Sequence, residues 1–229
     1  MAHPKSIYNS HKVKLVSFMI FVLAGLIVTG SVFTREKFHL NEKVLQKAYE
    51  KYGQDAKMRL IHWENSLKKD NIPEREKLET INSFFNQQMV FVNDTDLYGV
   101  KDYWATPVEF ISRGAGDCED FAIAKYFSLK IMGVDEAKLR IAYVKALRQN
   151  IFHMVMLYYS DPAAEPLILD NLVDAIRPAS ERRDLLPIFT FNGAGLWLAH
   201  DRGQGKLAGK SDRLTAWNDL LQRMAETGI

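Results

Sequence analysis

The spacing of hydrophobic residues changes twice along the chain, and each change marks a different kind of element. Residues 15–33, LVSFMIFVLAGLIVTGSVF, form a continuous apolar run of nineteen residues without a charge. At ~1.5 Å per residue such a run can cross a hydrocarbon core of ~30 Å. From Asn41 onward the spacing becomes helical. Val44, Leu45, Ala48 and Tyr52 share a face and Gly53 supplies a stop, then a second pattern runs from Asp55 to Lys69, and Pro73 opens a third through Leu78, Ile81, Phe84 and Phe85. The chain turns through DTDLYG at Asp94–Gly99. Trp104-Ala105-Thr106-Pro107 then leads a short amphipathic piece to Gly114-Ala115-Gly116, and Cys118 to Met132 reads as a largely buried helix capped by Gly133.

After that helix the period drops to two. Leu139–Leu147, Ile151–Tyr159 and Leu167–Asp170 are short β-branched or aromatic runs between polar breaks, which predicts successive antiparallel strands. Pro187–Phe191 and Leu196–Leu198 predict two more. Asp201–Lys210 reads as a polar loop, and Ser211 as the cap of a last helix with Leu214, Trp217, Leu221 and Met224 on one face. No internal repeat is present. Helices followed by an antiparallel sheet define an α+β fold, with a cysteine-led helix packed on the sheet.

Composition agrees with a folded body of one domain. The chain has 229 residues, 47% hydrophobic and 25% charged, and that length suits one domain with a short appendage. Lys5, Lys12 and Lys14 precede the apolar run and Arg35, Glu36 and Lys37 follow it. That flank pattern marks export, with the basic end in the cytosol and residues 34–229 outside the inner membrane. Residues 1–33 read as a signal peptide, with Val28-Thr29-Gly30 as the best cleavage site, or as a retained anchor. The net charge is +2 with no long block of one sign, which argues against nucleic acid as a partner. Residues 34–229 carry 27 Lys and Arg against 28 Asp and Glu, a net of −1. A single cysteine excludes an intramolecular disulfide framework and a Cys-based structural zinc site.

Cys118 falls at a predicted helix start, where unpaired N–H groups and the helix dipole favour a thiolate. His153 shares its strand face with Val155, Leu157 and Tyr159, so a titratable ring points with core residues. Asp170 ends the next apolar run. A helix packed on the sheet brings Cys118 to His153, and the neighbouring strand brings Asp170 to the other ring nitrogen, giving nucleophile, base and orienter. Of the remaining histidines, His3, His11, His39 and His62 lie far from this group, and His200 is the rival base. Asp117, Glu119 and Asp120 surround the cysteine, and uncompensated they oppose thiol ionisation. A cation is therefore expected. Three hard oxygen ligands in four residues suit Ca²⁺, with Asp94, Asp96 and Asp102 in the preceding loop. That loop begins like an EF-hand but carries Ala105 where the bidentate Glu would stand.

These residues resemble a family, the bacterial transglutaminase-like cysteine proteases of the LapG type. The resemblance rests on Asp102-Tyr103-Trp104-Ala105-Thr106-Pro107-Val108-Glu109-Phe110, Gly116-Asp117-Cys118-Glu119-Asp120-Phe121-Ala122, Phe152-His153-Met154-Val155 and Leu167-Ile168-Leu169-Asp170-Asn171, and covers most of residues 40–225. It implies a papain/transglutaminase-like fold and a Cys118, His153, Asp170 triad. It further implies Ca²⁺ on Asp117, Glu119 and Asp120, with Asp96 preferred over Asp94 and Asp102 as the loop ligand. The implied function is that of a periplasmic endopeptidase cutting a large surface adhesin at a di-alanine site near its N-terminus, releasing cells from biofilm. An inner-membrane cyclic-di-GMP receptor that sequesters the protease is implied as partner. The triad alone leaves the acyl acceptor open, so transglutaminase or amidase chemistry is an alternative, and a non-catalytic Ca²⁺-binding module is another.

Overall fold

In the computed structural model, residues 38–198 and 205–227, together with Met1, are described. Three helices come first: α1 (Glu42–Tyr52), α2 (Gln54–Leu67) and α3 (Glu74–Gln88). Asn41 caps α1 by accepting from the Lys43 amide, and Gly53, at φ 82°, both ends α1 and starts α2. Leu60, Trp63, Leu78, Ile81 and Phe85 are buried on the inward faces of α2 and α3. A two-residue strand β1 (Val90–Phe91), a single helical turn α4 (Asp94–Leu97) and α5 (Pro107–Arg113) follow. Strand β2 (Ala115–Gly116) pairs in parallel with β1 and leads into α6 (Cys118–Ile131).

The remaining strands form one antiparallel sheet of seven, in the order β6-β5-β4-β3-β7-β8-β9. They are β3 (Leu139–Ala146), β4 (Ile151–Tyr158), β5 (Leu167–Leu169), β6 (Arg177–Pro178), β7 (Leu185–Phe191), β8 (Leu196–Leu198) and β9 (Lys206–Gly209). Pro187, which cannot donate to a ladder, sits where the β3–β7 register shifts between Tyr143 and Val144. Ile141, Met154, Met156, Tyr158 and Phe191 face the helices and share the main core with α6. Ala142, Val144, Val155, Leu157, Tyr159 and Ile168 make a smaller cluster on the opposite face. Both faces are therefore covered near β3 and β4, which is why these strands carry so few polar residues.

The fold is the expected α+β arrangement, with differences in its last third. The polar loop expected at 201–210 contains β9 at its end, because Lys206–Gly209 pairs with β8. Ser211 does not cap the last helix. It lies in a 3₁₀ turn and donates to Gly193 O, and α7 (Thr215–Thr227) begins four residues later. The buried face of α7 carries Trp217, Leu220 and Met224, whereas Leu221 is exposed. The apolar run 15–33, His3, His11 and His200 lie outside the described residues. Among the described residues no helix is long and apolar enough to cross a membrane.

Candidate active site

Cys118 is presented by two consecutive caps. Thr106 caps α5 in a reciprocal box with Glu109, Pro107 occupies the first turn, and Gly114 ends the helix in the left-handed region at φ 75°. Three residues later Asp117 caps α6, so Cys118 is the first helical residue. Gly116 has no room for a side chain, since a Cβ there would lie 2.2 Å from Asp120 Oδ2 and 2.7 Å from the Phe110 ring. Asp120 Oδ1 accepts from the Ala105 amide at 2.8 Å and Oδ2 from the Asp117 amide at 3.2 Å. The Trp104-Ala105-Thr106-Pro107 segment is thereby tied to the cysteine.

The Cys118 thiol donates to Glu119 Oε2 at 3.1 Å. Burial, then the charge and hydrogen bond of Glu119 and the charge of Asp117, push its pKa up, opposed by the Met154 amide that points at the sulfur. The helix start alone does not make this thiol a thiolate. Cys118 and His153 line the same cleft, of about 620 Å³, together with Trp104, Tyr143 and Met154.

His153 stands opposite Val144 in the β3–β4 register, on the face of the smaller cluster. Its Nε2 lies 2.7 Å from Asp170 Oδ1, and both side chains are buried. Asp170 Oδ1 also accepts from the Leu172 amide at 2.9 Å, and Oδ2 accepts from Arg182 Nη2 at 2.8 Å. Burial alone would raise the Asp170 pKa, but His153, the Leu172 amide and Arg182 together hold it down at about 2. A carboxylate so placed assigns the imidazole proton to Nε2 and leaves Nδ1 as the atom able to take a proton from a thiol. Arg182 is itself fixed by Asp184, through Nε at 3.0 Å and Nη2 at 2.9 Å. Behind Asp170, Asn86 Nδ2 donates to its carbonyl at 2.8 Å, while Asn86 Oδ1 accepts from Lys125 Nζ at 2.7 Å. Lys125 is fully buried on α6, so the helix carrying the cysteine and the turn carrying the aspartate share one network.

The acids beside Cys118 converge. Carboxylate oxygens of Asp94, Asp117 and Asp120 lie within 4.8 Å of one another, as do those of Asp94, Asp102 and Glu119, and those of Asp117 and Glu119 with Cys118 Sγ. Burial, followed by the charge of Asp117, pushes Asp94 up to about 6. Burial likewise raises Asp117, Glu119 and Asp120. Oδ1 of Asp94 and Oδ1 of Asp117 are buried and have no hydrogen-bond partner among the described residues. An all-oxygen set with orphaned buried lone pairs fits a hard cation.

Asp96 is not part of this set. It is exposed and belongs to none of the groupings, whereas Asp94 and Asp102 of the same loop do. Asp94 and Asp96 occupy one helical turn, and two residues at ~100° each put them on opposite sides of it. Arg182 and Asn86 were absent from the sequence reading, and nothing local to either residue points to the site.

The sheet, the packed helix and the cysteine at its start are those of the transglutaminase-like thiol enzymes. Residues 50–183 match the model of the bacterial transglutaminase-like cysteine proteinases, and the chain belongs to that family. Solved structures of LapG from Legionella pneumophila are similar to it over most of its length. The EGTA-treated form is 43% identical with a TM-score of 0.71, covering 82% of this chain and 99% of that one. The calcium-bound form is 44% identical with a TM-score of 0.68, covering 80% and 98%. Among curated proteins no relative is found.

Proposed function

We propose that this protein is an exported, calcium-dependent cysteine endopeptidase acting through Cys118, His153 and Asp170. Cys118 attacks the scissile carbonyl carbon, the thiol proton passing to His153 Nδ1 and then to the leaving amine, and water later releases the acyl group from sulfur. Asp170 keeps the imidazole in the tautomer this requires and stabilises it when protonated. The observation that carries the reading is the buried 2.7 Å bond between His153 and Asp170 in a cleft shared with Cys118. Asp94, Asp102, Asp117, Glu119 and Asp120 would hold the Ca²⁺, a reading supported by the similarity to calcium-bound LapG. When bound, the ion supplies positive charge against the carboxylates that otherwise oppose ionisation of the thiol.

The substrate proposed from the family resemblance is the N-terminal region of a large surface adhesin, cut at a di-alanine site in the periplasm with release from biofilm. A cyclic-di-GMP receptor of the inner membrane is the proposed sequestering partner. The basic flank and apolar run of residues 1–33 support export. The test is incubation of the protein with an adhesin N-terminal fragment containing a di-alanine pair. Cleavage is expected with Ca²⁺, and none with EGTA or with folded Cys118→Ala. Cleavage by Cys118→Ala would refute the assignment.

A further inference from the structure

One wall of the cleft has no part in the chemistry above. Tyr143 stacks on Phe152 with ring centroids 5.3 Å apart and on Phe189 at 5.1 Å, so rings from three adjacent strands form one surface. Phe152 is 58% exposed, and Phe91, Ile151 and Leu172 in the same cleft are each more than 40% exposed. A contiguous apolar surface around a reactive thiol needs a partner that removes it from water.

Strand β1 supplies a second feature. The amides of Val90 and Val92 donate to Gly114 O and Gly116 O, so the N–H and C=O of Phe91 between them point away from β2. No other described strand pairs with β1. This open edge lies one strand from the segment that runs into Cys118, with Phe91 in register with Gly116. An edge that presents a free donor and acceptor beside apolar side chains is the arrangement that adds an extended peptide.

We infer that the site takes an extended polypeptide, paired through its backbone to Phe91 and seating a large apolar side chain against Tyr143, Phe152 and Phe189 near the scissile bond. The occupant is the substrate and not a separate partner, because both features are continuous with the cleft that holds Cys118. The inference rests on the endopeptidase reading and specifies its substrate.

The test begins with a proteome-derived peptide library digested by the full chain in Ca²⁺. Cleaved peptides should share Leu, Ile, Val, Met or Phe at one fixed position within about four residues of the cut. For one such peptide, N-methylation of single backbone amides should lower kcat/KM by roughly five- to tenfold at the position facing Phe91 C=O and much less at its neighbours. Phe152→Ser should raise KM roughly tenfold for that peptide, and by much less for the same peptide with alanine at the apolar position. Cleavage without a fixed apolar position, equal tolerance of every N-methyl group, or a KM indifferent to Phe152→Ser would each overturn the inference and leave the protease reading standing. The last result is the one expected if the aromatic wall docks a folded partner. No cleavage of any peptide by calcium-loaded protein would overturn both.

Discussion

Asp170→Asn is the substitution for which the structure makes the sharpest demand. From the strand pattern alone it is a mild change, since asparagine can still hold an imidazole. The hydrogen bonds say otherwise. Three donors converge on this carboxylate, His153 Nε2 and the Leu172 amide on Oδ1 and Arg182 Nη2 on Oδ2. Asparagine has one oxygen and one NH₂. If the NH₂ faces Arg182, two donors meet in a buried site and a charge-assisted bond worth about 1.5–3 kcal/mol is lost. If it faces His153, Nε2 must become the acceptor and the ring proton moves to Nδ1, the nitrogen that has to receive the thiol proton. The expected outcome is a loss of about 2–4 kcal/mol in stability or a fall of about 10²–10⁴ in kcat, according to which orientation wins. Urea unfolding at pH 7 and peptide hydrolysis read the two quantities separately. The double variant Asp170→Asn, Arg182→Met should be less destabilised than the sum of its parts by about 1–2 kcal/mol, because the donor conflict is removed. A single variant within about 0.5 kcal/mol and about threefold of the parent would refute the reasoning.

His153→Ala should abolish peptide hydrolysis while His200→Ala retains it, and the reverse result would move the base to His200. Asp94→Ala should eliminate the rise in Tm that Ca²⁺ gives the parent, and Asp96→Ala should leave that rise intact, which differential scanning calorimetry with and without EGTA decides. Burial holds Lys125 down at about 7 against the raising charges of Asp170 and Asp174. The unfolded chain therefore binds a proton that the folded chain lacks between pH ~7 and ~10.5, and parent stability should climb across that window at up to ~1.4 kcal/mol per pH unit. Lys125→Met should flatten the climb, and an unaltered slope would show that Lys125 is not its source. An alkaline phosphatase fusion after residue 40 should be active, since that enzyme matures in the oxidising periplasm, and an inactive fusion would place the body in the cytosol.

The legible parts of the fold are those long enough to show a period. Helices α1, α2, α3 and α6 and strands β3, β4 and β7 each run seven residues or more, and their residues repeat at a spacing visible in the chain. Strands β1, β2 and β6 have two residues each, too few to alternate, and only tertiary pairing makes them strands. The same limit hid the open edge at Phe91. His153 and Asp170 were legible as candidates because a titratable group is out of place in an apolar run, and Cys118 because it is the lone cysteine at a predicted helix start. Arg182 was not, because an arginine in a polar turn looks like any surface residue until the fold buries it against Asp170. The preference for Asp96 came with the family resemblance, which left the choice among the acids of residues 94–102 open. Once Asp94–Leu97 coils into a helical turn, alternate residues diverge, and Asp94 goes inward alone.

The treatment of buried carboxylates elsewhere in the chain bears on the calcium reading. Glu64 is 4% exposed and meets Lys68 and His39, each at 2.7 Å. Burial alone would raise its pKa, yet these partners bring it below the ordinary range. Asp170 meets Arg182 in the same way. In each case the fold provides its own cation. Around Cys118 it does the opposite, for among the described residues no Lys, Arg or His forms an ion pair with Asp94, Asp102, Asp117, Glu119 or Asp120, and burial raises four of the five. Leaving buried carboxylates uncompensated costs stability. A cation that binds them offsets this cost and also offsets the charges that, after burial, raise the Cys118 thiol, so stability and thiol reactivity should respond together to one titration with Ca²⁺. Midpoints that differ between the melting curve and the rate of iodoacetamide labelling of Cys118 would separate the two effects and assign the thiol's activation to another group.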